Sequence, residues 1–206
     1  MSPIDPAPAD PGDLLARVGA DVVRAGLVVG SGGNLSTRAG DAVWVTGAGT
    51  WLDRLTRSSF ARVSLSGTAD LGVPSTEVAL HVATYRARAD VRAIVHLHPQ
   101  TALLLDAVGE RIRLVTTDHA YYLRRIGVVP YLPPGSEALA AAAAEVAAEG
   151  FDCMILRRHG CSVLGDSVEM ALRRALNLEE AARLTYRALA LGRADALTDL
   201  DPPAFA

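Results

Sequence analysis

The chain contains no lysine; all 20 of its basic residues are arginine. A lysine Schiff base is therefore excluded, and any chemistry at a carbon beside a carbonyl must lodge its electron density on a metal instead. Cysteine is scarce as well. Cys153 and Cys161 are the only two, too few for a disulfide framework, and they read as buried free thiols flanking a strand–turn–strand. There is no positive excess: the net charge of −3 argues against nucleic acid or an anionic membrane surface as the main partner. No apolar run approaches the ~20 residues of a membrane span. The start, Met1 to Asp13, is acidic and proline-rich, unlike a signal peptide, so a cytoplasmic protein is expected.

What is present is enough apolar material for one sizeable core, with half of the 206 residues hydrophobic. The composition divides the chain into a disordered N-terminus at 1–10, one domain over 11–192 and a tail over 193–206. Leu14, Leu15, Val18, Val22 and Val23 recur at helical spacing from Pro11. Ser31 to Arg38 and Ala42 to Thr46 read as a hairpin across Ala39-Gly40-Asp41, and Ala61 to Leu65 as a further strand. Helices are expected from about Pro74 to Arg88, over Gln100–Val108, from Ser136 to about Glu149 and over Ser167–Leu191. Strands are expected at Ala93–Leu97, Arg111–Val115, Ile126–Tyr131, Phe151–Leu156 and Cys161–Leu164. Helices interleaved with strands indicate a layered α/β domain, and the short hairpin links call for much antiparallel pairing.

The most informative stretch is Ala93-Ile94-Val95-His96-Leu97-His98-Pro99. On a strand, residues i and i+2 leave by the same face, so His96 and His98 stand side by side while Leu97 enters the core. Pro99 ends the ladder there. Two such imidazoles make half of a zinc-type site, or else a pair of hydrogen-bonded histidines. Two glycine loops, around Gly33 and Gly49, miss the dinucleotide fingerprint, because its third glycine falls on leucine in both. Either loop could cradle an oxyanion or be an ordinary turn. Ser75 and Thr76 open a helix, a suitable anion site, and Glu77 suits a helix start. His81, one turn on, reads as a packed or half-exposed helix residue.

Taken together and in order, Gly33-Asn34-Leu35-Ser36 with Arg38, Pro74-Ser75-Thr76-Glu77, His96-Leu97-His98 and His159-Gly160 resemble the class II aldolase/adducin family, of the fuculose-phosphate aldolase type. The resemblance covers roughly residues 12–190. It implies a three-layer α/β/α fold with a central, mostly antiparallel mixed sheet, and a homotetramer with active sites between subunits. It implies His96, His98 and His159 as ligands of Zn2+ or another divalent metal, with Glu77 as ligand at rest and acid–base group during turnover, its pKa raised by apolar surroundings. Gly33, Asn34, Gly49, Ser75 and Thr76 fall at positions that bind the phosphate of a small sugar-phosphate substrate. Tyr121, Tyr122 and His119 are candidate catalytic acid–base groups. The chain departs from the pattern at Ala48, where a hydroxyl is missing that Thr50 could replace, and in its tail, which lacks a tyrosine. Aldol cleavage is the expected reaction. Decarboxylation of an oxo-sugar-acid phosphate, 4-epimerisation or dehydration are alternatives on the same scaffold, and an adducin-like assembly domain is the alternative without chemistry.

Overall fold

A computed structural model describes residues 10–201. Of the N-terminal stretch only Asp10 lies within it, and residues 202–206 of the tail lie outside.

Asp10 starts the fold: its carboxylate accepts the Gly12 N–H at 2.8 Å, capping α1 (Pro11–Arg24) with proline in the first turn. The strands are β1 (Asn34–Ala39), β2 (Ala42–Thr46), β3 (Phe60–Ser64), β4 (Ala69–Leu71), β5 (Ala93–Leu97), β6 (Ile126–Val129), β7 (Cys153–Leu156) and β8 (Gly160–Gly165). They form one sheet in the order β4-β3-β2-β1-β5-β8-β7-β6. Only the β6–β7 pair is parallel, so the mixed, mostly antiparallel sheet is as expected.

The remaining helices are α2 (Val78–Ala87), α3 (Gln100–Ala107), α4 (Thr117–Leu123), α5 (Glu137–Ala148) and α6 (Val168–Ala190). They cover both faces. Leu35, Val95, Leu97, Cys153, Ile155, Cys161 and Val163 pack against α1, α3, α4 and α6. Val43, Ile94, Met154, Leu156 and Leu164 pack against α2 and α5. This is the three-layer arrangement. Strands β5, β7 and β8 alternate between the two clusters, as their two-residue period requires. Both cysteines are buried free thiols. No described helix is long and apolar enough to cross a membrane.

Three local expectations are corrected. Arg111–Val115 is not a strand, because its N–H groups find other acceptors. Arg113 donates to the Thr185 hydroxyl of α6 at 2.9 Å, and Leu114 to the Asp199 carboxylate at 2.9 Å. Helix α2 begins at Val78 rather than at Pro74, because residues 73–75 run extended beside the Thr46–Thr50 loop. Asp118 to Tyr122, outside every helix and strand expected above, is helical in α4, capped by the Thr116 hydroxyl on the His119 N–H. Leu200 N–H also bonds Leu114 O, so the described part of the tail lies along the body of the domain.

Candidate metal centre

The site grows out of the end of β5. His96 is fully buried, and its register partners are Asn34 on β1 and Ser162 on β8. His98 follows one step beyond the strand, before Pro99 caps α3. His159 comes from the tight β7–β8 turn, which is pinned from α3: Asp106 accepts the Arg158 N–H at 2.7 Å. Two glycines permit these segments to touch. A Cβ on Gly33 would stand 2.7 Å from the His96 carbonyl oxygen, and one on Gly160 would stand 2.6 Å from Cδ2 of His98. Gly33 also has φ +73°, a conformation that disfavours any side chain.

The three rings converge. Their centroids lie 4.8–5.4 Å apart, and one ligand atom from each falls within 4.8 Å of the others. Nε2 of His96 lies 3.2 Å from Nε2 of His98 and 2.7 Å from Oε2 of Glu77, while Nε2 of His159 lies 3.4 Å from Oε1 of the same carboxylate. Ligands held tetrahedrally at ~2.0–2.1 Å from a zinc-sized cation stand about 3.3–3.4 Å apart, close to the His96–His98 separation. Oε1 of Glu77 is buried and has no hydrogen-bond partner among the described residues. Three imidazoles with a carboxylate beside them, one oxygen of which lacks a donor, fit a divalent cation.

Electrostatics agree with that use. Burial lowers the pKa of His98 to about 4, helped by the neighbouring His96 and His159, and burial with His96 lowers that of His159. Both rings are thus neutral near pH 7, with a lone pair to offer. Glu77 goes the opposite way from the raised value expected of apolar surroundings. Burial does push its carboxyl up, but the His96 hydrogen bond, the charges of His96 and His159, and the Asn34 amide together bring it down to about 2.

Behind Glu77 runs a line of buried polar groups. Nδ2 of Asn34 donates to Glu77 Oε2 at 3.2 Å, and Oδ1 of Asn34 meets Nε2 of His81. Nδ1 of His81 lies 2.7 Å from the Ser36 hydroxyl, which lies 2.8 Å from the Tyr85 hydroxyl. His81 is fully buried, so of its two expected environments the packed one holds.

Of the phosphate candidates, Asn34 and Ser75 touch Glu77, Gly33 and Thr76 adjoin them in the chain, and Gly49 lies on the loop paired with residues 73–75. Ser75 N–H donates to Thr46 O at 3.0 Å, and the Thr46 hydroxyl accepts Leu35 N–H at 3.1 Å, tying the three segments together. Ser75 Oγ accepts the Glu77 N–H at 3.3 Å, Thr76 is exposed, and Gly49 lies open with φ +72°. The Thr50 hydroxyl donates to Gly47 O within its own loop, so it does not stand in for the hydroxyl missing at Ala48.

The α4 candidates are not gathered there. His119 is fully buried on the layer of α6, its Nε2 lying 3.2 Å from Glu180. Tyr122 stacks edge-on with Tyr121 and accepts from Arg173 at 3.4 Å. Tyr121 is half exposed.

Comparison with known proteins places this geometry in context. Residues 13–186 match the family model described as Class II Aldolase and Adducin N-terminal domain. L-fuculose phosphate aldolase of Methanocaldococcus jannaschii is 37% identical over 158 residues, which span 77% of this chain and 86% of that protein. The 3-oxo-tetronate 4-phosphate decarboxylase of Haemophilus influenzae is 32% identical over 181 residues, 84% of this chain and 86% of that one. The solved structure of L-fuculose-1-phosphate aldolase from Thermus thermophilus superposes with a TM-score of 0.78 at 30% identity, covering 87% of this chain and 95% of that chain.

Proposed function

The chain belongs to the class II aldolase and adducin family, and we propose that within it the protein is a cytoplasmic metal-dependent lyase that cleaves a small phosphorylated ketose by retro-aldol reaction. One observation supports the reading: three imidazoles and a carboxylate from three separate segments lie side by side, one ligand atom of each imidazole within 4.8 Å of the others. His96, His98 and His159 would hold Zn2+ or a similar divalent ion. Such an ion supplies positive charge that polarises a carbonyl and offsets the negative charge left when the adjacent bond breaks.

The chain's own groups do the rest. Glu77, ionised and with Oε1 lacking a donor, takes the proton of the hydroxyl beside the breaking bond and returns it to the carbon that the bond leaves. Gly33, Asn34, Gly49, Ser75 and Thr76 hold the substrate phosphate, which turns remote binding into orientation at the reacting carbon. In a homotetramer, the half-exposed Tyr121 with Tyr122 would serve a neighbouring subunit's site, and the buried His119 would hold α4 to α6 behind them.

The similarity to a decarboxylase over 181 residues favours a second reading. Loss of carbon dioxide from a 3-oxo-sugar-acid phosphate leaves the same kind of carbanion and needs the same polarised carbonyl. Elemental analysis should find one divalent ion per chain. A panel of ketose phosphates and 3-oxo-acid phosphates, offered to the metal-loaded protein, should release triose phosphate for the first reading and carbon dioxide for the second. A protein that holds no stoichiometric metal and turns over neither class would overturn both, in favour of an assembly domain.

A further inference from the structure

From the line of buried groups behind Glu77, we infer that Tyr85, Ser36, His81 and Asn34 form a one-way hydrogen-bond relay, in which His81 is a positioning residue that locks Asn34 and through it the Glu77 carboxylate. The inference rests on the reading of Glu77 as a group of the reaction site. The relay is a zipper of two periodicities. Glu77, His81 and Tyr85 are spaced by four on one face of the α2 segment, about 6 Å per step, and Asn34 and Ser36 are spaced by two on one face of β1, about 6.8 Å per step. The pitches nearly match, so the strand residues seat between the helix residues.

The protons have one consistent arrangement. A carboxylate only accepts, so the amide nitrogen of Asn34 faces Glu77, and its oxygen faces His81. Nε2 of His81 must then carry the hydrogen, which leaves Nδ1 as an acceptor for the Ser36 hydroxyl. The Ser36 oxygen in turn accepts from the Tyr85 hydroxyl. Burial favours the same states: it keeps the His81 ring neutral and the Tyr85 phenol protonated. All four dipoles point their donor ends towards Glu77. Reversing the Asn34 amide would set two acceptors face to face at the carboxylate, and His81 prevents it.

Two measurements on the full-length protein test this. In histidine-labelled, metal-free protein near neutral pH, long-range proton–nitrogen spectra should show His81 as the Nε2–H tautomer alone; an Nδ1–H form or a mixture overturns the relay. Zinc affinity, measured by chelator competition below the melting temperature of each variant, should fall about 10–100-fold in His81→Leu. It should return to within about threefold of the parent in His81→Gln, whose amide can still donate to Asn34. A merely space-filling His81 would change melting temperature in both variants and affinity in neither, and that result overturns the proposal. Should His81→Leu not fold, the tautomer and the His81→Gln affinity still decide. A parent protein that binds neither zinc nor another divalent ion would count against the proposed lyase function, leaving the tautomer to judge the relay by itself.

Discussion

On one face of β5, Val95 and Leu97 enter an aliphatic cluster with α1, α3 and α6, and on the other Ile94 is followed by His96, set among Asn34, Glu77 and Ser162. The strand is the same and the burial is equally complete; the chemistry differs. On the aliphatic face attraction is non-directional, so a substitution costs roughly what its volume dictates. On the polar face each group depends on the orientation of the next, and removing one partner strands another in a place water does not reach. At this end of β5 the fold therefore gives one face wholly to packing, while the other divides between the aliphatic cluster around Ile94 and the site geometry around His96.

The comparison can be broken first at the proposed metal ligands. His96→Ala or His159→Ala should lower bound divalent metal from stoichiometric to near zero and cut metal-dependent turnover by more than about 100-fold, with the far-ultraviolet dichroism unchanged. Elemental analysis and kcat read this directly. Leu97→Ala, one residue away on the opposite face, should do the reverse. It should destabilise by about 2–5 kcal/mol in denaturant titration while the folded fraction still binds one metal per chain. Gly160→Ala sharpens the contrast, since its Cβ would stand 2.6 Å from the His98 ring. A cost of about 1–3 kcal/mol should come with weakened metal affinity, because the atoms that must give way are the Leu97 carbonyl oxygen, which the Cβ meets more closely still, and the ring of a proposed ligand.

The smallest effect lies at the tail. Burial pushes the Asp199 carboxyl up, but the Leu114 N–H and the Arg111 guanidinium outweigh it and leave its pKa below the ordinary value. A depressed carboxyl contributes stability that is present above the unfolded value and lost as pH falls through the folded one. Acidification below the usual aspartate range should therefore release the 193–201 segment, by less than about 1 kcal/mol given its exposure. Loss of exchange protection at the Leu114 amide should report it, with the metal centre unaffected by Asp199→Asn at neutral pH.

Much of this was legible in residue order. The alternation around His96 placed its ring opposite Leu97, and the structure keeps that division. The short links at 39–41 and 157–160 announced antiparallel hairpins, and both are present. Arg111 to Val115 misled because its alternation is strand-like. Its amide hydrogens are taken by Thr185 and Asp199, residues more than seventy positions away. The three-residue β4 gave no signal, being exposed throughout and held by pairing with β3 and by the Arg62–Asp70 ion pair. The spacing of Glu77, His81 and Tyr85 was visible, but its partners Asn34 and Ser36 sit on a distant strand. Without them His81 was only a histidine on a helix.

The sequence by itself determined which side chains exist to do chemistry and which face of its own element each occupies, because a period of two or of 3.6 is a local property of the backbone. It also ruled out a lysine-based mechanism outright. Only the tertiary structure decided that three rings converge beside Glu77, that this carboxyl is held ionised rather than protonated, and which donor each buried acceptor meets. Those follow from distances between segments and from which donor meets which acceptor, and neither exists until the sheet and its two helical layers have closed.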